Sequence, residues 1–240
     1  MPTKIPTNDV RKAITQAIGP LLQAHGFRSF RAGRCIRQRP GWIDVVEVGF
    51  SESAFAPRNW PSLAIGRWLD FLPDDPVAGP VPLRDGRPQI DEPRCHLRKR
   101  VHRFRTRWYR RRTGHWQIDG DPVKLRDCVS DMVAAVEREI IPWFDRLEEP
   151  ATLFELFASG QGDIEGRSAD SVMRGSWGFT GAFDRQVNAG YLAARCGRPE
   201  VAAQLLSRVL REGGVRLKNG EMFALSPPTL EHIRATLATL

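Results

Sequence analysis

The chain reads as an α+β protein: an antiparallel sheet packed with helices, followed by a small all-helical C-terminal extension. Three observations predict this. Two strand-like runs are separated only by Pro40-Gly41, too few residues for the crossover that a parallel pair requires. Amphipathic helical patterns, with apolar residues at spacings of three and four, open the chain and return after residue 121. Beyond a glycine-rich stretch, every remaining segment has a helical pattern. With 240 residues, 41% of them hydrophobic and 27% charged, the chain fills either one large domain or a domain of ~150 residues with an appendage.

The opening helix spans residues 9–25, with Val10, Ile14, Ile18, Leu21 and Leu22 on one face. Asn8 or Asp9 caps its start, and Gly26 closes it in a left-handed conformation. Pro20 predicts a kink, or a split at Gly19. Residues 35–39 and 42–51 are the first two strands. In the second, Trp42, Val46, Val48 and Phe50 share a face broken only by Asp44, while Ile43, Val45 and Glu47 share the other. Two largely apolar faces put this strand at the centre of a sheet. A third strand, 62–72, carries Leu63, Ile65, Leu69 and Phe71 on one side. Residues 73–93 contain six prolines and read as a surface loop, either a functional lid or a disordered insert.

A second helix starts at Asp121 as N-cap with Pro122 in the first turn, and buries Leu125, Val129, Met132, Val136 and Ile140. Pro142 ends it, and Trp143-Phe144 pack the exit. A short helix over 151–158 contributes Leu153, Phe154 and Phe157. Residues 159–182 are glycine-rich and read as a linker. Helical segments follow at 183–196, 199–212 and 228–240, with Ala189, Ala193, Ala202 and Ala203 suited to a closely packed antiparallel pair. This resembles one unit of a helical-repeat hairpin without a second copy. The expected organisation is an α+β domain over 1–158, a linker over 159–182 and a helical extension over 183–240.

The outstanding anomaly is residues 94–112, RCHLRKRVHRFRTRWYRRR. Ten of them are Lys or Arg and none is acidic, more than the net charge of +8 on the whole chain. Clustered cations of this kind release counterions on meeting phosphates, or pair with an acidic protein. Arginine excess alone is weaker testimony, because only five of the 36 basic residues are Lys, a skew that GC-rich coding also produces. Read as a strand, the segment turns Cys95, Leu97 and Val101 inward and His96, Arg98, Arg100 and His102 outward. Read as a helix, it brings Leu97, Val101, Phe104 and Trp108 to one face at spacings of four, three and four. The strand reading is preferred, with a turn at Thr113-Gly114 leading into a short strand over 115–118.

Enzymatic signatures are missing. There is no Gly-x-Ser-x-Gly elbow, and Cys95 and His96 would point to opposite faces of a strand, so they make no nucleophile–base pair. The five histidines (25, 96, 102, 115 and 232) have no metal-ligand spacing; His96, His102 and His115 converge only if the basic strand pairs with a strand at Trp116. GQGDIEG at 160–166 has no strand before it and no Lys-Ser/Thr after it, so it is not a phosphate loop. Cys35, Cys95, Cys128 and Cys196 form no Cys-x-x-Cys pair and read as reduced, buried thiols of a cytoplasmic protein. No leader-like apolar region opens the chain, and no run reaches membrane-spanning length.

An opening helix ending in LLQAHGF, strands at 42–51 and 62–72, then CHLRKRV, Trp116, a helix and IPWFDRL together resemble the bacterial domain-of-unknown-function family numbered 4304. The resemblance covers about 9–158 and leaves the C-terminal helices outside. It implies a small cytosolic α+β domain with an antiparallel sheet, and it carries over no catalytic residues.

The functional expectation is therefore a cytoplasmic binding protein, leaning away from an enzyme, with no catalytic, cofactor or metal site. Its partner is an acidic protein, in an immunity- or adaptor-like role. Nucleic-acid binding is the alternative, since Phe104, Trp108 and Tyr109 interleave with arginines as a stacking platform would; an unrecognised enzyme is a distant third. The residues expected to carry binding are His96, Arg98, Arg100, Arg105, Arg107, Trp108, Arg110, Arg111 and Arg112.

Overall fold

A computed structural model describes residues 5–31, 33–50, 60–73, 81–101, 116–159, 181–216 and 222–240. The chain divides into two compact units, Met1–Trp68 with Ile90–Asp145, and Leu69–Gln89 with Arg146–Leu240.

The first unit is built on a five-stranded sheet of order β1-β2-β3-β4-β7, formed by β1 (Arg28–Arg31), β2 (Arg34–Arg39), β3 (Trp42–Phe50), β4 (Pro61–Leu69) and β7 (Leu97–Val101). The pairs β1–β2 and β2–β3 are antiparallel, as their short connections predict, and β4–β7 is antiparallel across the longer connection 70–96. The Pro40-Gly41 turn, with Gly41 at φ +92°, sets the β2–β3 register, so that Arg37 faces Asp44 and Cys35 faces Val46. β3 is central, and Ile43, Val45, Val46 and Val48 are all buried.

Helix α1 (Thr7–Ala24) buries Val10, Ile14, Ile18 and Leu22. Its cap differs from expectation: Pro6, not Asn8 or Asp9, is the N-cap, and it makes no side-chain capping bond. The helix also runs through Pro20 unsplit. Pro20 and Gln16 lie on the exposed side, where water can satisfy the carbonyl that loses its donor. The end follows expectation, with Gly26 at φ +84° and the Gly26 and Phe27 amides donating to Gln23 and Leu22.

Helix α2 (Pro122–Ala135) is capped by the Asp121 side chain, which accepts from the Val123 amide at 2.8 Å. Its buried positions are Cys128, Met132 and Ala135, whereas Leu125 and Val129 are half-buried, so the buried stripe is rotated from the one read in the sequence. Pro142 does not end the helical run. A π-helical segment, Val136–Ile140, leads directly into α3 (Ile141–Arg146). The wider turn, with the Ile141 amide reaching Val136, gives the proline ring room that an α-turn would deny it.

The second unit includes α4 (Pro150–Ser159), α5 (Gly181–Arg195), α6 (Pro199–Glu212) and α7 (Pro227–Leu237). Helices α5 and α6 pack closely: a Cβ at Gly190 would lie 2.6 Å from Leu206 Cδ2, and Ala189, Ala193 and Ala202 are buried. Two short hairpins went unread in the sequence. One, β5 (Leu83–Arg84) with β6 (Arg87–Pro88), turns on Asp85-Gly86, both at positive φ, within the proline-rich stretch. The other, β8 (Gly214–Arg216) with β9 (Met222–Ala224), sits among the C-terminal helices.

Candidate functional site

Two groups of cations meet on the sheet of the first unit, and the strand pleat separates them. Residues opposite each other in a ladder share a face. The pairings Arg37↔Asp44 and Arg67↔Leu97, together with the Asp44–Arg67 contact, place Arg37, Asp44, Arg67 and Leu97 on one face. Arg98 belongs to the other.

On the first face, Asp44 is fully buried between two buried arginines. Arg67 Nε donates to Asp44 Oδ1 at 2.6 Å and Arg67 Nη2 to Oδ2 at 3.2 Å; Arg37 Nε donates to Oδ2 at 2.9 Å. Two guanidiniums against one carboxylate leave a formal excess of one charge in the core. Two backbone carbonyls offset it. Arg37 Nη1 donates to the carbonyl of His25, the C-cap of α1, and Arg67 Nη2 to that of Phe144 in the last turn of α3. Helix C-termini each carry about half a negative charge, so the two ends together balance the second guanidinium. Aromatic faces complete the enclosure: Arg37 lies 5.0 Å from the Phe27 ring centre, and Arg67 lies 4.9 Å from that of Trp42. Burial pushes the Asp44 carboxyl up from its usual range, while the guanidiniums, Arg67 foremost, pull it back. The cluster is a structural pin joining β2, β3, β4 and two helix ends, and it is spoken for on every side by the protein itself.

The basic edge lies one strand away. β7 is the last strand of the sheet, in unbroken five-pair register with β4 from Leu63↔Val101 to Arg67↔Leu97. Leu97 and Val101 are fully buried and Arg98 is half-buried, the alternation that the strand reading predicts. Arg98 Nη1 donates to the Pro93 carbonyl at 3.0 Å. His96, just before the strand, stacks on Trp68 with ring centres 6.3 Å apart and planes 26° apart. Cys95 lies against Gly66, where an added Cβ would come within 2.5 Å of the cysteine Cβ. Its Sγ donates to the Asp91 carbonyl at 3.4 Å, and burial pushes its thiol well up.

After Val101 the chain returns to this edge at Trp116, whose amide donates to the Pro61 carbonyl at 2.8 Å. Two residues beyond the Leu63↔Val101 pair, Trp116 thus takes the place that would continue β7. Residues 116–118 form no strand, contrary to expectation. Pro61 has no amide to return the bond, so the ladder stops at one rung. The return point is held by the buried Trp116 indole, which donates to Asp131 Oδ2 at 3.4 Å, and by Asp119, which takes the Trp60 indole at 3.0 Å and Lys124 Nζ at 2.8 Å.

Of the residues expected to bind, His96, Arg98 and Arg100 are therefore on or beside β7, with Arg100 opposite Ala64 in the register. Arg105, Arg107, Trp108, Arg110, Arg111 and Arg112 lie outside the described residues. Among the described residues no three metal-ligating side chains come together, and no helix is long and apolar enough to cross a membrane. The buried Arg–Asp–Arg cluster was missed from sequence. Its signal was Asp44 itself, an acid on an otherwise apolar strand face, which requires a partner.

A family model described as a domain of unknown function, DUF4304, matches residues 18–146, just over half of the chain, and leaves the C-terminal helices outside. None of the curated proteins compared with the chain matches it, and none of the solved structures does.

Proposed function

The chain belongs to the DUF4304 family, and on that premise we propose that it is a non-enzymatic cytoplasmic protein that binds an acidic protein partner through residues 94–112. The observation that carries the reading is the charge of that segment: ten cations and no acid, with Arg98, Lys99 and Arg100 on the edge strand of the sheet. Arginine suits such a partner because its planar fork matches a carboxylate with two parallel hydrogen bonds. An edge position favours a macromolecule over a small ligand, since Arg98, Lys99 and Arg100 follow one another along a strand.

The test is fluorescence anisotropy of the full chain with labelled poly-glutamate and with single- and double-stranded oligonucleotides over a salt series. Poly-glutamate should bind, and the variant R110Q/R111Q/R112Q should bind it at least tenfold more weakly. Tighter binding of oligonucleotides, with affinity falling steeply in salt, would hand the function to nucleic acid instead. An unchanged affinity in the triple variant would remove the basic segment from the interface.

A further inference from the structure

We infer that the outer edge of β7 takes an extended segment of the partner as a further strand of the sheet, one whose residues alternate between acidic and apolar. This rests on the proposal that the partner is acidic. Three observations lead to it.

The two edges of the sheet differ. β1, at one end, is four residues long and its pairing with β2 shifts register between Arg28 and Arg31. Such an irregularity twists an edge away from further pairing. β7, at the other end, keeps its register with β4 over all five residues. A regular strand holds alternate backbone amides and carbonyls in line on its outer side, and among the described residues no strand lies beyond it.

The side chains of β7 then specify the occupant. Leu97 and Val101 belong to the buried face, whereas Arg98 has the opposite parity, and position 100 repeats that parity. An added strand would continue both layers, with apolar side chains beside Leu97 and Val101 and carboxylates beside Arg98. A second copy of β7 is a poor occupant. Its Arg98-Lys99-Arg100 would face the same three cations across the ladder, and like charges directly opposite destabilise a pair. Positions 98 and 100, which share the outward parity, discourage self-pairing and invite carboxylates on every second residue of the added strand.

The probe is an octapeptide in which glutamate and valine alternate, acetylated at one end and amidated at the other. Its control is a block peptide of identical composition and end groups, with all its glutamates first and all its valines after them. Each is titrated into the full chain at neutral pH. Hydrogen exchange of residues 97–101 is followed by NMR. The inference expects the alternating peptide to bind at least tenfold more tightly than the block peptide. It also expects those β7 amides that exchange readily in the free protein, every second one, to slow at least tenfold at saturation. Equal affinities with unchanged β7 exchange would overturn strand addition while leaving the acidic-partner proposal standing. Failure of both peptides and of poly-glutamate to bind would overturn both.

Discussion

Arg67 and Arg98 stand almost side by side, since Arg67 pairs with Leu97 and Arg98 is the next residue along, yet they do opposite work. Arg67 is fully buried, bonded twice to Asp44 and once to a helix carbonyl. Arg98 is half-buried on the other face and donates to one backbone carbonyl. One step along β7 from the residue opposite Arg67 thus changes the face, from that of a cation that holds the core to that of one half-exposed. The lesson is that in an arginine-rich chain the residue type carries little information. Strand parity and the presence of a buried acid decide what each arginine is for.

The sharpest way to break this contrast is to remove the acid. D44A leaves two buried guanidiniums without their carboxylate, and should cost about 3–5 kcal/mol in urea denaturation. If the arginines are structural, R37M/D44L/R67M should recover most of that loss, because an apolar trio needs no charge balance. A loss for D44A of less than about 1 kcal/mol would show that the cluster is wetter than its burial implies.

Packing under the edge gives the next largest effect. G66A drives a methyl into Cys95 and should cost about 1–3 kcal/mol by the same measurement. In a chain already carrying C95G, adding G66A should cost much less, a non-additivity that a mere backbone effect would not produce. At the outward position the expectation reverses. R98Q should alter stability by no more than about 0.5 kcal/mol while weakening acidic partners; a large stability loss would place Arg98 with Arg67 instead.

Thiol chemistry tests burial without any mutation. Burial pushes Cys35 up to about 11 and Cys128 up to about 12, and Cys95 is buried as well, whereas Cys196 is partly exposed. Alkylation of the native protein near neutral pH should modify Cys196 first, read by mass spectrometry. The smallest effect concerns the return point of the edge. The hydrogen bond from Lys124 holds the Asp119 carboxyl below its ordinary value of 3.8. A lowered folded value means the stabilisation is full above 3.8 and is lost as pH falls through the folded value. Wild type should therefore be slightly more stable than K124Q at neutral pH, with the difference fading in acid below 3.8.

Much of this architecture was legible before any coordinates. The Pro40-Gly41 turn alone places Arg37 opposite Asp44, so half of the buried cluster could be read from a two-residue loop and the rule that a buried acid needs a partner. Arg67 could not be read the same way, because no local rule sets the register of β4 against β3. The Asp85-Gly86 hairpin carried a strong turn signal that the surrounding prolines hid. Pro20 as a splitting point and Pro142 as a stop misled for one reason: proline penalises a helix locally, and an exposed carbonyl in one case and a π-turn in the other relieved the penalty. The candidate binding residues were legible as charge and, for Leu97, Arg98 and Val101, as strand parity.

The π-turn at Val136–Ile140 also acts as a phase setting for everything after it. A π-turn holds one residue more than an α-turn, and each residue of an α-helix advances the chain by about 100°. Deleting one residue there would return the helix to ordinary pitch and swing Phe144 about a quarter-turn around the axis. The carbonyl that Arg67 binds would then face elsewhere, and the Pro142 ring would meet the turn before it. Helix length in this stretch is thus tied to the charge balance of the sheet, and a one-residue deletion there should be tolerated less well than most substitutions on the exposed side of α2.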